Sequence, residues 1–349
     1  MKIQKAQLAQ KLNKVKSVVP KKTTHAALQG LLAKDGYLTA SNMEMTVKAK
    51  IEGLTGESFI IPERAFDLIN NLPDGEVEIT ATGENEIMIK ADKIKNKYQT
   101  PDPALFSVIS VQEDEGELTI AAETLLESIR RVAYAVPAQG ANAIMTAMCV
   151  QAAKGKLNFA GLDGHVLAWD QVDYEGEFEL LIPKNTVEKL KSIGLSGETL
   201  IKRGKTGAAF ITEEFEVYTR LIEGKYFKYQ EMFKELPLHT VASKSAMLEA
   251  MTRAKMCTDE KRPVRFELAG KALNLSIKDS VTDYSETVEL QEEMEKALTI
   301  GFDARLVLET LKAFDCENVR LSLDSPKMPM IVEAQEGDFK AIVLPVTMR

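Results

Sequence analysis

Leu8, Leu12, Val15 and Val19 recur at the i, i+4, i+7, i+11 spacing of one helix face, and Pro20 closes the run. The same stripe returns as Leu125, Ile129, Val132 and Val136 before Pro137, every position shifted by 117. Met247, Met251, Ala254 and Thr258 form a looser third copy, a further 122 on. Each helix is followed by a glycine and a short strand, at 36–40, 155–159 and 270–275. A further strand then feeds a second helix: 59–62, 180–183 and 298–301, spaced by 121 and 118. The second helices are expected at about 63–71, 184–193 and 303–314. Turn residues close them (Pro73-Asp74-Gly75, Ser196-Gly197, Asp315-Cys316), and alternating strands such as 77–80 and 319–322 follow.

Each unit thus predicts helix, about three strands, helix, about three strands: an α+β domain with two helices packed on antiparallel sheet. Units of this length are too long for solenoid repeats and long enough to fold alone. Three similar domains are expected, at 1–114, 117–235 and 238–349, jointed at the acidic run Gln112-Glu113-Asp114-Glu115-Gly116 and around Leu236-Pro237-Leu238-His239.

The overall charge of −8 argues against tight, indiscriminate binding of nucleic acid. Residues 1–34, however, hold eight lysines and no acid, so this segment is +8 and the rest of the chain −16. Lys11, Lys14 and Lys16 are placed on the polar faces of the first helix, with Lys21 and Lys22 in the loop after it. Such a basic face is either a solvated surface or a local contact for a polyanion. Cys149, Cys257 and Cys316 are too few and too odd in number for a disulfide framework and point to a reducing compartment. The N-terminus lacks the apolar core of a secretory signal, and no apolar run is long enough to span a membrane, so a cytoplasmic location is expected.

Catalytic signatures are missing: no Gly-x-Ser-x-Gly, phosphate loop, dinucleotide fingerprint, His-Glu-x-x-His or Cys-x-x-Cys occurs. No cofactor and no metal site is expected. Asp163-Gly164-His165 is first a hairpin turn, because the glycine supplies a positive φ. Asp259-Glu260-Lys261-Arg262 is a solvated charge run. The aromatics of Tyr226-Phe227-Lys228-Tyr229 are either packing at a domain joint or a ligand wall. The apolar C-terminal segment 342–349 and Met328-Pro329-Met330 either complete a sheet or line a peptide groove.

Ser41-Asn42-Met43-Glu44-Met45, Leu162-Asp163-Gly164-His165-Val166-Leu167-Ala168, Phe314-Asp315-Cys316-Glu317-Asn318-Val319-Arg320 and Ile342-Val343-Leu344-Pro345-Val346 resemble, across essentially the whole chain, the bacterial DNA polymerase III beta subunit, the sliding-clamp family. The resemblance implies three clamp domains per chain and a head-to-tail homodimer closing a ring, helices inward, around duplex DNA. It implies a non-catalytic processivity factor whose partners are the replicative polymerase catalytic subunit, the clamp loader and other proteins carrying clamp-binding peptides. Carried over, Lys22 and Gln139 take the family's DNA-facing loop positions, and Lys11, Lys14 and Lys21 are expected to face the DNA with them because the helix stripe buries their apolar neighbours. The peptide groove takes Met145, Leu162, Gly164, His165, Val166, Leu167, Phe227, Met232, Asp303, Leu306, Pro326, Met328, Ile342, Val343, Leu344, Pro345 and Val346. Leu105 and Phe106 on one side, with Met256 and Cys257 on the other, are the dimer-interface candidates. The family usually carries Thr and Arg where this chain has Leu162 and Val166, so a more apolar groove is expected. Two other functions compete: a peptide-binding scaffold without DNA, and an enzyme using the Asp163–His165 region. The lysine-only N-terminal segment favours the clamp over the scaffold.

Overall fold

The first stripe folds as α1 (Lys5–Val15), and a 3-10 turn at Lys16–Val18 carries the chain on towards Pro20. Leu8, Leu12 and Val15 are fully buried. The other helices are α2 (Phe66–Asn70, after a 3-10 turn at Glu63–Ala65), α3 (Ala122–Val132), α4 (Lys184–Ile193), α5 (Lys244–Met256) and α6 (Ala304–Ala313). This computed structural model describes residues 1–349 except 55, 57, 112, 113, 259–261, 279 and 349, and the side chain of Asp114. Gln112 and Glu113 of the acidic joint, Asp259, Glu260 and Lys261 of the charge run, and Arg349 therefore lie outside the described residues.

Among the described residues four strands, where about three are expected, separate the helices of each of the first two repeats. They are Gly30–Lys34, Tyr37–Ser41, Met45–Lys50 and Phe59–Pro62, then Ala147–Ala153, Lys156–Leu162, Val166–Asp173 and Phe178–Pro183. In the third repeat the expected strands at 270–275 and 298–301 are parts of one long hairpin, Val264–Lys278 against Asp283–Phe302. The alternating pattern there has no turn to divide it; Gly270, at φ +55°, instead marks a shift of register.

The described residues form two units, Met1–Leu126 with Asn185–Leu221, and Glu127–Lys184 with Ile222–Arg349. The first unit holds a four-stranded sheet ordered Lys2–Gln4, Glu76–Gly83, Glu86–Ala91, Ile94–Gln99. It also holds an eight-stranded sheet in which Met45–Lys50 of the first repeat pairs antiparallel with Phe215–Arg220 of the central one. The second unit repeats that device: in a ten-stranded sheet, Val166–Asp173 pairs with Lys340–Val343. The central repeat thus contributes strands to both units, each sheet running from one repeat into the next.

Charged side chains tie these seams. In the second unit, Arg131 of α3 reaches the fully buried Asp170 at 3.3 Å and Asp315 at 3.1 Å. Its neighbour Arg130 bonds Glu127 and Asp315, and also the carbonyls of Lys312 and Ala313 at the end of α6. The Arg130 hydrogen bond holds the Glu127 carboxylate down at about 2.

Candidate functional site

Of the basic positions, Lys21 and Lys22 are exposed in the loop after the first helix, and Gln139 is exposed in the loop after α3. Lys14 is half-buried, its ammonium donating to the carbonyl of Ser192 at 3.2 Å. Lys11 does not belong with them. It is only 6 % exposed, paired with Glu214 and lying 4.7 Å over the Phe215 ring. The physical reason is helical geometry: Lys11 stands three residues after Leu8 and four before Val15, on the buried face itself. Its charge is spent inside the first unit.

Lys189 is a basic residue that the patterning of α4 did not flag. It is buried, and its ammonium donates to the Lys14 carbonyl and, at 2.9 Å, to the Ser17 hydroxyl. Burial, with a smaller push from Lys14, lowers it to about 8. Lys14 and Lys189 thus bond the C-terminal ends of each other's helices.

In the second unit the Asp163-Gly164-His165 segment is a hairpin turn. The Asp163 carboxylate accepts the backbone N–H of His165 at 2.8 Å and of Val166 at 2.7 Å, and Gly164 takes φ +87°. That carboxylate is occupied by its own turn and is not paired with a catalytic histidine. Among the described residues no group of three or more His, Cys, Asp or Glu side chains is placed to hold a metal ion, and no helix is long and apolar enough to cross a membrane.

Beside this turn the C-terminal segment leaves the sheet. Leu344 N–H donates to His165 O at 2.8 Å, and Val346 N–H donates to Gly301 O at 2.8 Å. The tail lies so close over Gly301 that a Cβ there would stand 2.7 Å from Met348 Cγ. Gly301 therefore sets how closely the tail runs over the sheet, although no local sequence signal marks it. Met145 flanks the turn, its Cε 3.6 Å from where a Cβ on Gly164 would be. Met328, Met232, Leu344 and Val346 are all exposed apolar side chains. Met330 pairs with Val343, which puts the Pro326–Met328 turn where the tail departs.

Leu167, Ile342, Trp169 and Tyr229 are buried in one cluster, with Leu162, Tyr226 and Phe233 packed against it. Tyr226 and Tyr229 are thus packing residues, while Phe227, edge-on to Tyr226 at 5.4 Å, stays partly exposed. Val166 and Val343, expected to line the groove, are buried and do not reach the surface. Strand alternation turns them away from Leu167 and Ile342, and both are buried as a cross-strand pair. The expected gain in apolar character from Val166 therefore does not reach the surface. Leu306 is likewise buried in α6, and Asp303 caps that helix, accepting from Arg305 N–H at 2.7 Å. Pro345 is half-buried within the tail.

Leu105 and Met256 are strongly exposed, at 68 % and 80 %, and Cys257 is half-buried. Phe106, expected beside Leu105 at the interface, is instead buried against Ala27, Leu28, Leu32 and Ile60 of its own domain. The Asp102 cap, accepting from Ala104 N–H at 2.8 Å, turns the chain so that Leu105 points out and Phe106 in.

Three family models cover most of the chain: the DNA polymerase III beta subunit N-terminal domain at residues 1–110, its central domain at 119–228 and its C-terminal domain at 234–347. The chain is similar to the beta sliding clamp of Pseudomonas putida, 24% identical over 99% of this chain and 98% of that one. It is similar to the Escherichia coli beta sliding clamp, 22% identical over 88% of each. Among solved structures, a putative DNA polymerase III beta subunit from Eubacterium rectale superposes with a TM-score of 0.91 at 25% identity, covering 99% of this chain and 98% of that one. Three α+β repeats, sheets that continue from one repeat into the next and domain matches in the same order lead to one assignment: the chain belongs to the DNA polymerase III beta-subunit family, the sliding clamps.

Proposed function

We propose that two copies of this chain, each with domains at 1–114, 117–235 and 238–349, close head to tail into a ring around duplex DNA in the cytoplasm. The ring is a non-catalytic tether for the replicative polymerase catalytic subunit, the clamp loader and other proteins carrying clamp-binding peptides. One observation carries this: repeat joins repeat by strand pairing at 45–50 with 215–220 and again at 166–173 with 340–343. Ile94–Gln99 and Val264–Lys278 meanwhile each end a sheet with one edge open. Open edges invite pairing with another chain. A heterologous contact of this kind between first and third domains, made twice, closes under twofold symmetry. Leu105, Met256 and Cys257 lie on the domains concerned.

Retention on DNA is then topological. A closed ring does not need strong phosphate contacts, and Lys14, Lys21, Lys22 and Gln139 supply weak ones that permit sliding. Partners dock an extended peptide beside the Gly164 turn, burying Leu or Phe anchors against Leu344, Val346, Met328 and Met145. The test is retention on nicked circular DNA. The protein should stay on the circle through gel filtration and leave once the circle is linearised. Release from both forms alike would favour a peptide scaffold without DNA encirclement.

A further inference from the structure

The groove beside Gly164 has a counterpart in the first unit, built by the same repeat at an offset of 121. Asn42 makes the turn that Asp163 makes: its side-chain oxygen accepts from Glu44 N–H at 3.0 Å and Met45 N–H at 2.8 Å. Met43 occupies the position of Gly164, at φ +73°. Arg220 N–H donates to Glu44 O at 3.0 Å, as Leu344 N–H does to His165 O. Next to this turn lies a cavity of about 270 Å³ bounded by Met43, Arg220, Thr206 and residues 108–110 of the connector that leads into the joint at 112–116.

Two exchanges separate the two grooves chemically. Leu167 of the second is Thr46 in the first, and the Thr46 hydroxyl oxygen accepts the backbone N–H of Ile109 at 2.8 Å. Leucine has no such acceptor. The connector is therefore pinned into the first groove by a bond that the second groove cannot make. Arg220 narrows the same site, its Nε donating to Met43 O at 3.1 Å where Leu344 offers an apolar side chain.

We infer that Ile109 of the connector, half-buried between the exposed Val108 and Ser110, is the resident occupant of a second, closed copy of the partner groove, so that each chain accepts one partner peptide and not two. This rests on the proposed use of the Gly164 groove. The test is calorimetric stoichiometry on the full chain, with a Gln- and Leu/Phe-containing clamp-binding peptide as probe. Wild type should bind one peptide per chain. Thr46→Val with Ile109→Gly and Arg220→Leu, folded by circular dichroism, should bind two. One site in both proteins overturns the inference and leaves the Gly164 groove standing. Two sites in wild type overturn it by showing the first groove already open. No binding by wild type overturns the groove itself, and this inference with it. Should the triple variant not fold, amide exchange on wild type decides: Ile109 N–H is expected to exchange at least tenfold slower than an unprotected amide, and an unprotected rate overturns the inference.

Discussion

Arg130 and Arg131 are adjacent in α3, yet their removal should differ sharply. Asp170 is fully buried; Arg131 holds its Oδ1 at 3.3 Å, and Ser128 is its other side-chain hydrogen-bond partner. Arg131→Met leaves a buried carboxylate without its cation, a change that costs about 3–5 kcal/mol. For a unit of this size that is a fall in Tm of roughly 6–20 °C. Arg130 serves Glu127 and Asp315, whose side chains are 39% and 51% exposed, so Arg130→Met should cost about 1 kcal/mol or less. The chain's single tryptophan, Trp169, is buried next to Asp170, so denaturation followed by tryptophan fluorescence reports on this seam directly. A pH series adds a second check. Burial raises the Asp170 pKa above the ordinary carboxylate range, and the Ser128 hydrogen bond and then Arg131 partly offset that rise. An acid whose folded pKa is raised gains stability as pH falls and it takes up a proton. The Arg131→Met deficit should therefore narrow on acidification, and Asp170→Asn should restore much of it at pH 7. Equal losses for the two arginine variants, or a deficit that grows on acidification, would refute the argument.

Lys21→Glu with Lys22→Glu should reduce retention on circular DNA without lowering Tm; each lost phosphate contact should also flatten the salt dependence of any direct affinity by roughly one unit. Leu344→Asp should weaken peptide binding roughly 10–100-fold in fluorescence anisotropy while DNA retention persists. Leu105→Asp should shift sedimentation towards monomer, whereas Phe106→Ala should mainly cost about 3–5 kcal/mol of stability, because its ring packs within its own domain. Lys189 is lowered from 10.5 to about 8, so carrying its charge into the fold costs stability below pH 8, and that cost fades between pH 8 and 10.5. Wild type should gain stability relative to Lys189→Met across that window, and a difference constant with pH would count against it.

Periodicity alone determined the threefold repeat, because every copy must bury one helix stripe and one strand face. α4 forms at the expected 184–193, and the Asp163 turn forms because an Asx side chain and a glycine satisfy it locally. Short-range rules suffice wherever the partners lie within a few residues. The tertiary structure decided the matters that depend on distant partners. Lys11 is buried because Glu214, 203 residues away, receives its charge. Val166 is kept from the surface by burial beside Val343, which the far end of the chain brings to it. Phe106 turns inward because Ala27 and Ile60 provide its pocket. The two long sheets cross from repeat to repeat by backbone hydrogen bonds, which any strand edge can make and no residue pattern encodes.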